Sequence, residues 1–95
     1  MKNSIIQKDL TECFICKTNR NIHIHHIFFG SANRKMSDKY DCVVALCMEH
    51  HTGNLGVHHN KELDMHLKKL AQKKFEQVHG NRRDFMQVFG KNYLD

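Results

Sequence analysis

Ninety-five residues, 40% hydrophobic and 26% charged, with a formal net charge of +5 and a pI near 9.2, describe one small basic globular domain rather than a disordered tail. No apolar run approaches the roughly eighteen residues of a membrane span, and the opening Met1, Lys2, Asn3, Ser4 and Ile5 are no secretory signal, so a cytoplasmic protein with no membrane partner is expected. So short a chain is expected to need a staple, and four Cys with nine His, seven of them between His23 and His59, make metal the first candidate. In chain order, residues 1–11 read as a leading arm, partly ordered at best. Residues 12–59 form the core of the reading and residues 60–95 its helical C-terminal part. Cys13-Phe14-Ile15-Cys16 is a tight knuckle, followed by a polar turn over residues 17–21. The alternation from Asn21 to Ile27 predicts a strand with Ile22 and Ile24 on one face. Residues 28–40 read as a loop, punctuated by Gly30, Ser31 and Asn33 and charged by Arg34, Lys35 and Lys39.

Cys42 to Leu46 is β-branched and apolar, a second strand that runs into a short helix over Cys47–His51. Gly53 and Gly56 permit a sharp bend. Asn60 caps a long helix over Lys61–Val78, whose stripe of Leu63, Leu67, Leu70, Ala71, Phe75 and Val78 keeps a 3.6 period. Gly80 stops it, and Asn81 caps a last helix carrying Phe85, Met86, Val88 and Phe89 and closed by Gly90.

Cys13-x-x-Cys16 and Cys47-x-x-His50 each place two soft ligands at knuckle spacing. Together they supply the four donors of a tetrahedral Cys3His zinc site. The plain alternative is a buried Cys47 and a surface His50. If the site forms, its metal-binding free energy is folding free energy. His25, His26, His51, His58 and His59 remain around the same elements. Adjacent strand residues face opposite sides, so His25 and His26 are either one inward and one outward side chain, or a ligand beside a base. Neutral imidazole binds transition metals, and imidazole titrating near neutrality can deprotonate water.

The run His25-His26-Ile27, then Val43-Val44-Ala45-Leu46-Cys47, then Cys47-x-x-His50-His51, resembles the signature of the HNH endonucleases, the ββα-metal or His-Me finger family. From His26 to Cys42 is 16 positions and from Cys42 to His51 is 9, which agrees with that signature. The longer run through Phe28-Phe29-Gly30, Asn33-Arg34-Lys35, Ser37-Asp38-Lys39-Tyr40, Gly56-Val57-His58, Leu63 and Phe89-Gly90-Lys91-Asn92-Tyr93-Leu94 is similar to small phage- and prophage-encoded HNH-like proteins, which would place it in a bacterial host cell. The resemblance implies an α+β fold: a ββα-metal finger over a zinc knuckle, with two C-terminal helices packed across. It implies His26 as general base, and His25, His51 and His58 as ligands of one catalytic divalent ion, Mg2+, Mn2+, Ni2+ or Zn2+. His58 is preferred to His59 on the Gly-Val-His likeness. His23 is read as a bystander, and His66 and His79 as solvated. The sequence departs from the family at its middle Asn, which falls at Cys42 beside Asp41; a thiol cannot supply the amide hydrogen bonds that orient the base, whereas Asp41 could stand in for the Asn if the register shifts by one.

The expected activity is metal-dependent hydrolysis of DNA phosphodiester bonds. Arg34, Lys35 and Lys39 are expected to hold the phosphate backbone with weak sequence preference. Two other readings stand beside it: a non-catalytic zinc-containing nucleic-acid-binding module, and an adaptor for a phage recombination or assembly protein.

Overall fold

The computed structural model describes residues 3–94. The elements are β1 (Ile22–His26), α1 (Ser31–Lys39), β2 (Val43–Cys47), α2 (Met48–His51), α3 (Lys61–Val78) and α4 (Arg82–Phe89), an α+β arrangement. β1 and β2 pair antiparallel, with Ile22 opposite Cys47 and His26 opposite Val43. All five residues of β2 are buried, as a continuous β-branched and apolar run requires when both faces are covered. β1 is the strand the alternation predicted, but the face that carries Ile22 and Ile24 is not its buried one. Ile24 stands 36% exposed, and the innermost position is His25 at 3%.

The segment read as a loop is largely helix. α1 carries no apolar stripe, only Met36 and small or charged residues, so periodicity could not reveal it. It is held by polar chemistry instead. Ser37, fully buried, donates to the Phe28 carbonyl at 2.8 Å and accepts from the Phe28 N–H at 3.2 Å, which clamps the helix to the chain leaving β1. Gly30 opens the helix at φ 98, where a side chain would be strained, and its carbonyl takes the Arg34 N–H at 2.9 Å. Asp41, in the left-handed region at φ 60, turns the chain into β2.

Over the described residues the leading arm lies against the outer edge of β2; Met1 and Lys2 lie outside them. The Ile5 N–H donates to the Asp41 carbonyl at 2.9 Å. Gln7 is buried: its Oε1 accepts the Ala45 N–H at 2.8 Å, and its Nε2 donates to the Asp9 and Glu12 carbonyls. The Phe14 N–H donates to the Ala45 carbonyl at 2.8 Å. One polar side chain thus serves the outer edge of a strand that would otherwise keep unpaired backbone groups.

Phe28, Phe75, Phe85 and Phe89 form the aromatic centre of the core, with Phe28 and Phe89 ring centroids 4.3 Å apart. From α3 the stripe contributes buried Leu67, Ala71 and Phe75; Leu63 and Leu70 are half-buried, while Val78 is 59% exposed because the helix end overshoots the core. Asn60 caps α3 by accepting the Leu63 N–H, and Asn81 with Asp84 forms a reciprocal capping box on α4. Buried Gln72 on α3 holds the C-terminal tail, accepting the Tyr93 N–H and donating to Asn92, each at 2.8 Å. No helix among the described residues is long and apolar enough to cross a membrane.

Candidate metal centres

Two clusters of ligand-type side chains lie on either side of α2. Cys13, Cys16, Cys47 and His50 bring their donor atoms within 4.8 Å of one another. The Cys16 and Cys47 sulfurs are 3.8 Å apart, and His50 Nδ1 lies 3.3 Å from Cys47 Sγ and 3.7 Å from Cys13 Sγ. Zinc–sulfur bonds of about 2.3 Å in a tetrahedron set sulfur–sulfur edges of roughly 3.8 Å, so these side chains have the spacing of a coordinated set. All the cysteines are free thiols. Burial alone would raise the Cys13 thiol, but the backbone N–H groups of Cys16, Cys47 and Ile15, with the Cys16 thiol, outweigh it and bring Cys13 down to about 6. Burial is the main cause raising the Cys47 thiol, with the neighbouring sulfurs of Cys16 and Cys13 adding to it. A bound cation would relieve that crowding of sulfurs. The expectation of a Cys3His cluster able to hold a metal such as zinc is met by the geometry.

His25, His51 and His58 form the second cluster, again within 4.8 Å. β1 supplies His25, α2 supplies His51, and the turn after α2 returns His58. That turn depends on Gly56, whose Cβ, were there one, would sit 2.7 Å from the His51 carbonyl carbon and oxygen. The close approach lets the Val57 N–H reach the His50 carbonyl at 2.9 Å and the His58 N–H the His51 carbonyl at 3.4 Å. His51 Nε2 and His58 Nε2 are 3.2 Å apart. Histidine–zinc bonds of about 2.0–2.1 Å place tetrahedral nitrogens roughly 3.4 Å apart, so this set also fits an ion. His25 Nε2 is buried with no hydrogen-bond partner among the described residues, a cost that a bound cation would remove. Burial, then the charges of His51, His58, His26 and Lys68, lowers His25 to about 3, and burial with His58 and His23 lowers His51. His25 therefore stays neutral, the ligand form, throughout the physiological range.

The cleft over this cluster, about 240 Å³, is lined by Ile24, His25, His26, Phe29, Arg34, His51 and His58. His26 is turned away from the other imidazoles, and its Nε2 lies 2.9 Å from Asp38 Oδ1. Among the described residues its Nδ1 has no hydrogen-bond partner. Asp38 belongs to the run that carries the family likeness but had no role in the sequence reading, because α1 was not foreseen; once α1 is a helix, Arg34 and Asp38 at i and i+4 share the face toward β1. Of the three basic residues expected to meet nucleic acid, Arg34 alone borders the cleft. Lys35 lines a separate surface hollow with Ser31, Ala32 and Met36, and Lys39 lies 5.5 Å over the Tyr40 ring. Lys68 is held beside the cleft, 4.3 Å from the Phe29 ring centre and 2.9 Å from Asp64.

His59 is exposed and outside the cluster, and His66 is solvated as expected. His79 is exposed at the end of α3, with Nε2 3.2 Å from the Tyr40 carbonyl. Cys42 is buried just ahead of β2, which starts one residue later than the sequence suggested, and its thiol is pushed up to about 12 by burial and by Asp41; it joins neither cluster. Searches against family profiles, curated proteins and solved structures return no match for the chain.

Proposed function

We propose that this chain is a metal-dependent DNA endonuclease of the HNH, ββα-metal type, hydrolysing phosphodiester bonds with His26 as general base. The observation that carries the reading is the open cleft itself. Three imidazoles with clustered donor atoms border it together with a carboxylate-paired histidine and an exposed arginine. A closed Cys3His set beside an open three-histidine set is the division of labour expected of one structural and one catalytic ion.

His25, His51 and His58 would hold the catalytic ion, which when bound supplies charge stabilisation to the scissile phosphate and the departing oxygen. Asp38 accepts the Nε2–H of His26, which fixes the tautomer and leaves the Nδ1 lone pair to take a proton from water. The carboxylate thus performs the orienting work that the family assigns to its middle Asn, so the thiol at Cys42 need not supply it. Arg34 borders the cleft and would grip a phosphate oxygen through its guanidinium. The net charge of +5 favours a polyanion and adds no sequence preference. The small-phage likeness remains the basis for a bacterial host and for a recombination or assembly partner.

The test is plasmid cleavage at low salt by zinc-loaded protein with Mg2+, Mn2+, Ni2+ or further Zn2+, beside His26→Ala. Nicking or linearisation that disappears in the variant is expected. DNA binding without cleavage under every metal would instead establish the non-catalytic module.

A further inference from the structure

β1 alternation places His23 and His25 on the same face of the strand, two residues apart. His23 is exposed and lies outside the three-histidine cluster, yet its ring is not idle. His23 Nδ1 is 3.0 Å from His51 Nδ1, with the rings 5.2 Å apart and 76° inclined. The other nitrogen of His51, Nε2, faces His58 Nε2 at 3.2 Å. One imidazole is therefore engaged at both nitrogens by two others.

A proton count settles which nitrogen does what. Neutral imidazole carries one N–H and one lone pair. Nε2 of His51 is the nitrogen turned toward the cluster, and to ligate an ion it must be bare. The proton then sits on Nδ1, and the only use for it at 3.0 Å is donation to His23 Nδ1. The opposite assignment, with His23 donating, would put the His51 proton on Nε2 and block the site. We propose that His23 is a positioning residue for His51, accepting its Nδ1–H and so fixing the tautomer and ring orientation in which Nε2 can ligate. This rests on the reading that His25, His51 and His58 hold an ion, but not on the reading that the protein cuts DNA. In most metal sites this acceptor is a carboxylate or a carbonyl. A neutral imidazole orients without adding negative charge, so a carboxylate in its place should hold the ion at least as tightly. Because His23 is exposed, replacing it does not disturb the core.

The experiment is calorimetric titration of Mn2+ or Ni2+ into protein that already holds its structural zinc. It compares wild type, His23→Phe, which keeps a ring but removes the acceptor, and His23→Glu, which restores one. Zinc content and thermal melting confirm that the variants are folded. Wild type is expected to take one further ion, His23→Phe to bind it about 10- to 100-fold more weakly, and His23→Glu to recover wild-type affinity or exceed it. Nitrogen-15 NMR of the zinc-only protein reads the His51 tautomer directly, with Nδ1–H expected in wild type and a mixture in His23→Phe. Equal affinity in wild type and His23→Phe, or an Nε2–H tautomer in wild type, overturns the role of His23 while leaving the metal site standing. No further ion in wild type overturns the site and the inference together.

Discussion

The two clusters use neighbouring residues of one four-residue helix and yet are built for opposite ends. His50 joins three sulfurs in a set of four donors, which fills a tetrahedron and leaves no place for another ligand. His51, one position on, joins two imidazoles in a set of three, beneath a cleft that opens between an arginine and a carboxylate-paired histidine. The sulfur set ties the N-terminal knuckle to the end of β2; the imidazole set ties nothing that the sheet and the turn at Gly56 do not already hold. Number of donors and access to solvent, more than the identity of the donors, separate the closed set from the open one on which the proposed function rests.

The sharpest way to break that contrast is to remove metals selectively. Structural zinc sites carry about 10–16 kcal/mol of apparent binding free energy, more than a small domain's whole stability. A strong chelator, or Cys47→Ser, should therefore abolish cooperative thermal unfolding, followed by circular dichroism. Loss of an imidazole should instead spare the fold. His58→Ala is expected to keep one zinc per chain and its melting transition while losing the second ion by more than the roughly 100-fold that an outer partner carries; metal content after gel filtration distinguishes the two. Asp38→Ala should leave both ions in place and slow cleavage by on the order of 10-fold or more, part of the roughly 100- to 10,000-fold that a general base contributes. Asp38→Asn, which keeps an acceptor oxygen, should fall between. Gly56→Ala pushes a methyl against the His51 carbonyl and should cost about 1–3 kcal/mol in denaturant unfolding, with the second ion's affinity falling more than the zinc's.

The smallest effect concerns the cysteine left out of both clusters. Burial and Asp41 raise Cys42 from 9.0 to about 12, so the folded state keeps a proton that the unfolded chain releases. The stability this contributes is complete below pH 9 and is lost as pH rises toward 12. Cys42→Ala should flatten that alkaline limb in pH-dependent melting and leave metal content unchanged.

Most of the second half of the molecule could be read from residues alone, because Leu67, Ala71 and Phe75 keep a helical period and Asn60, Asn81 and Gly90 punctuate it. The four zinc-type ligands were legible for a similar reason: spacing within each pair fixes local geometry. α1 was not, since its one buried residue is Ser37, and a hydroxyl bonded to the Phe28 backbone leaves no hydrophobic signature. Missing that helix hid the pairing of Asp38 with His26 and misplaced Lys35 and Lys39. His23 escaped for another reason. The strand alternation that pairs it with His25 was visible, but its partner His51 lies 28 positions away, across a register that only the folded sheet defines.

Gln7 carries a consequence of its own. By taking the Ala45 N–H with its side chain while Phe14 takes the carbonyl, the N-terminal segment denies the middle of β2 to any passing strand. A two-stranded sheet with a fully apolar, β-branched outer strand is otherwise a natural seed for chain-to-chain stacking. The segment that looked least structured thus covers that edge, and shortening it should be felt first as turbidity in concentrated protein.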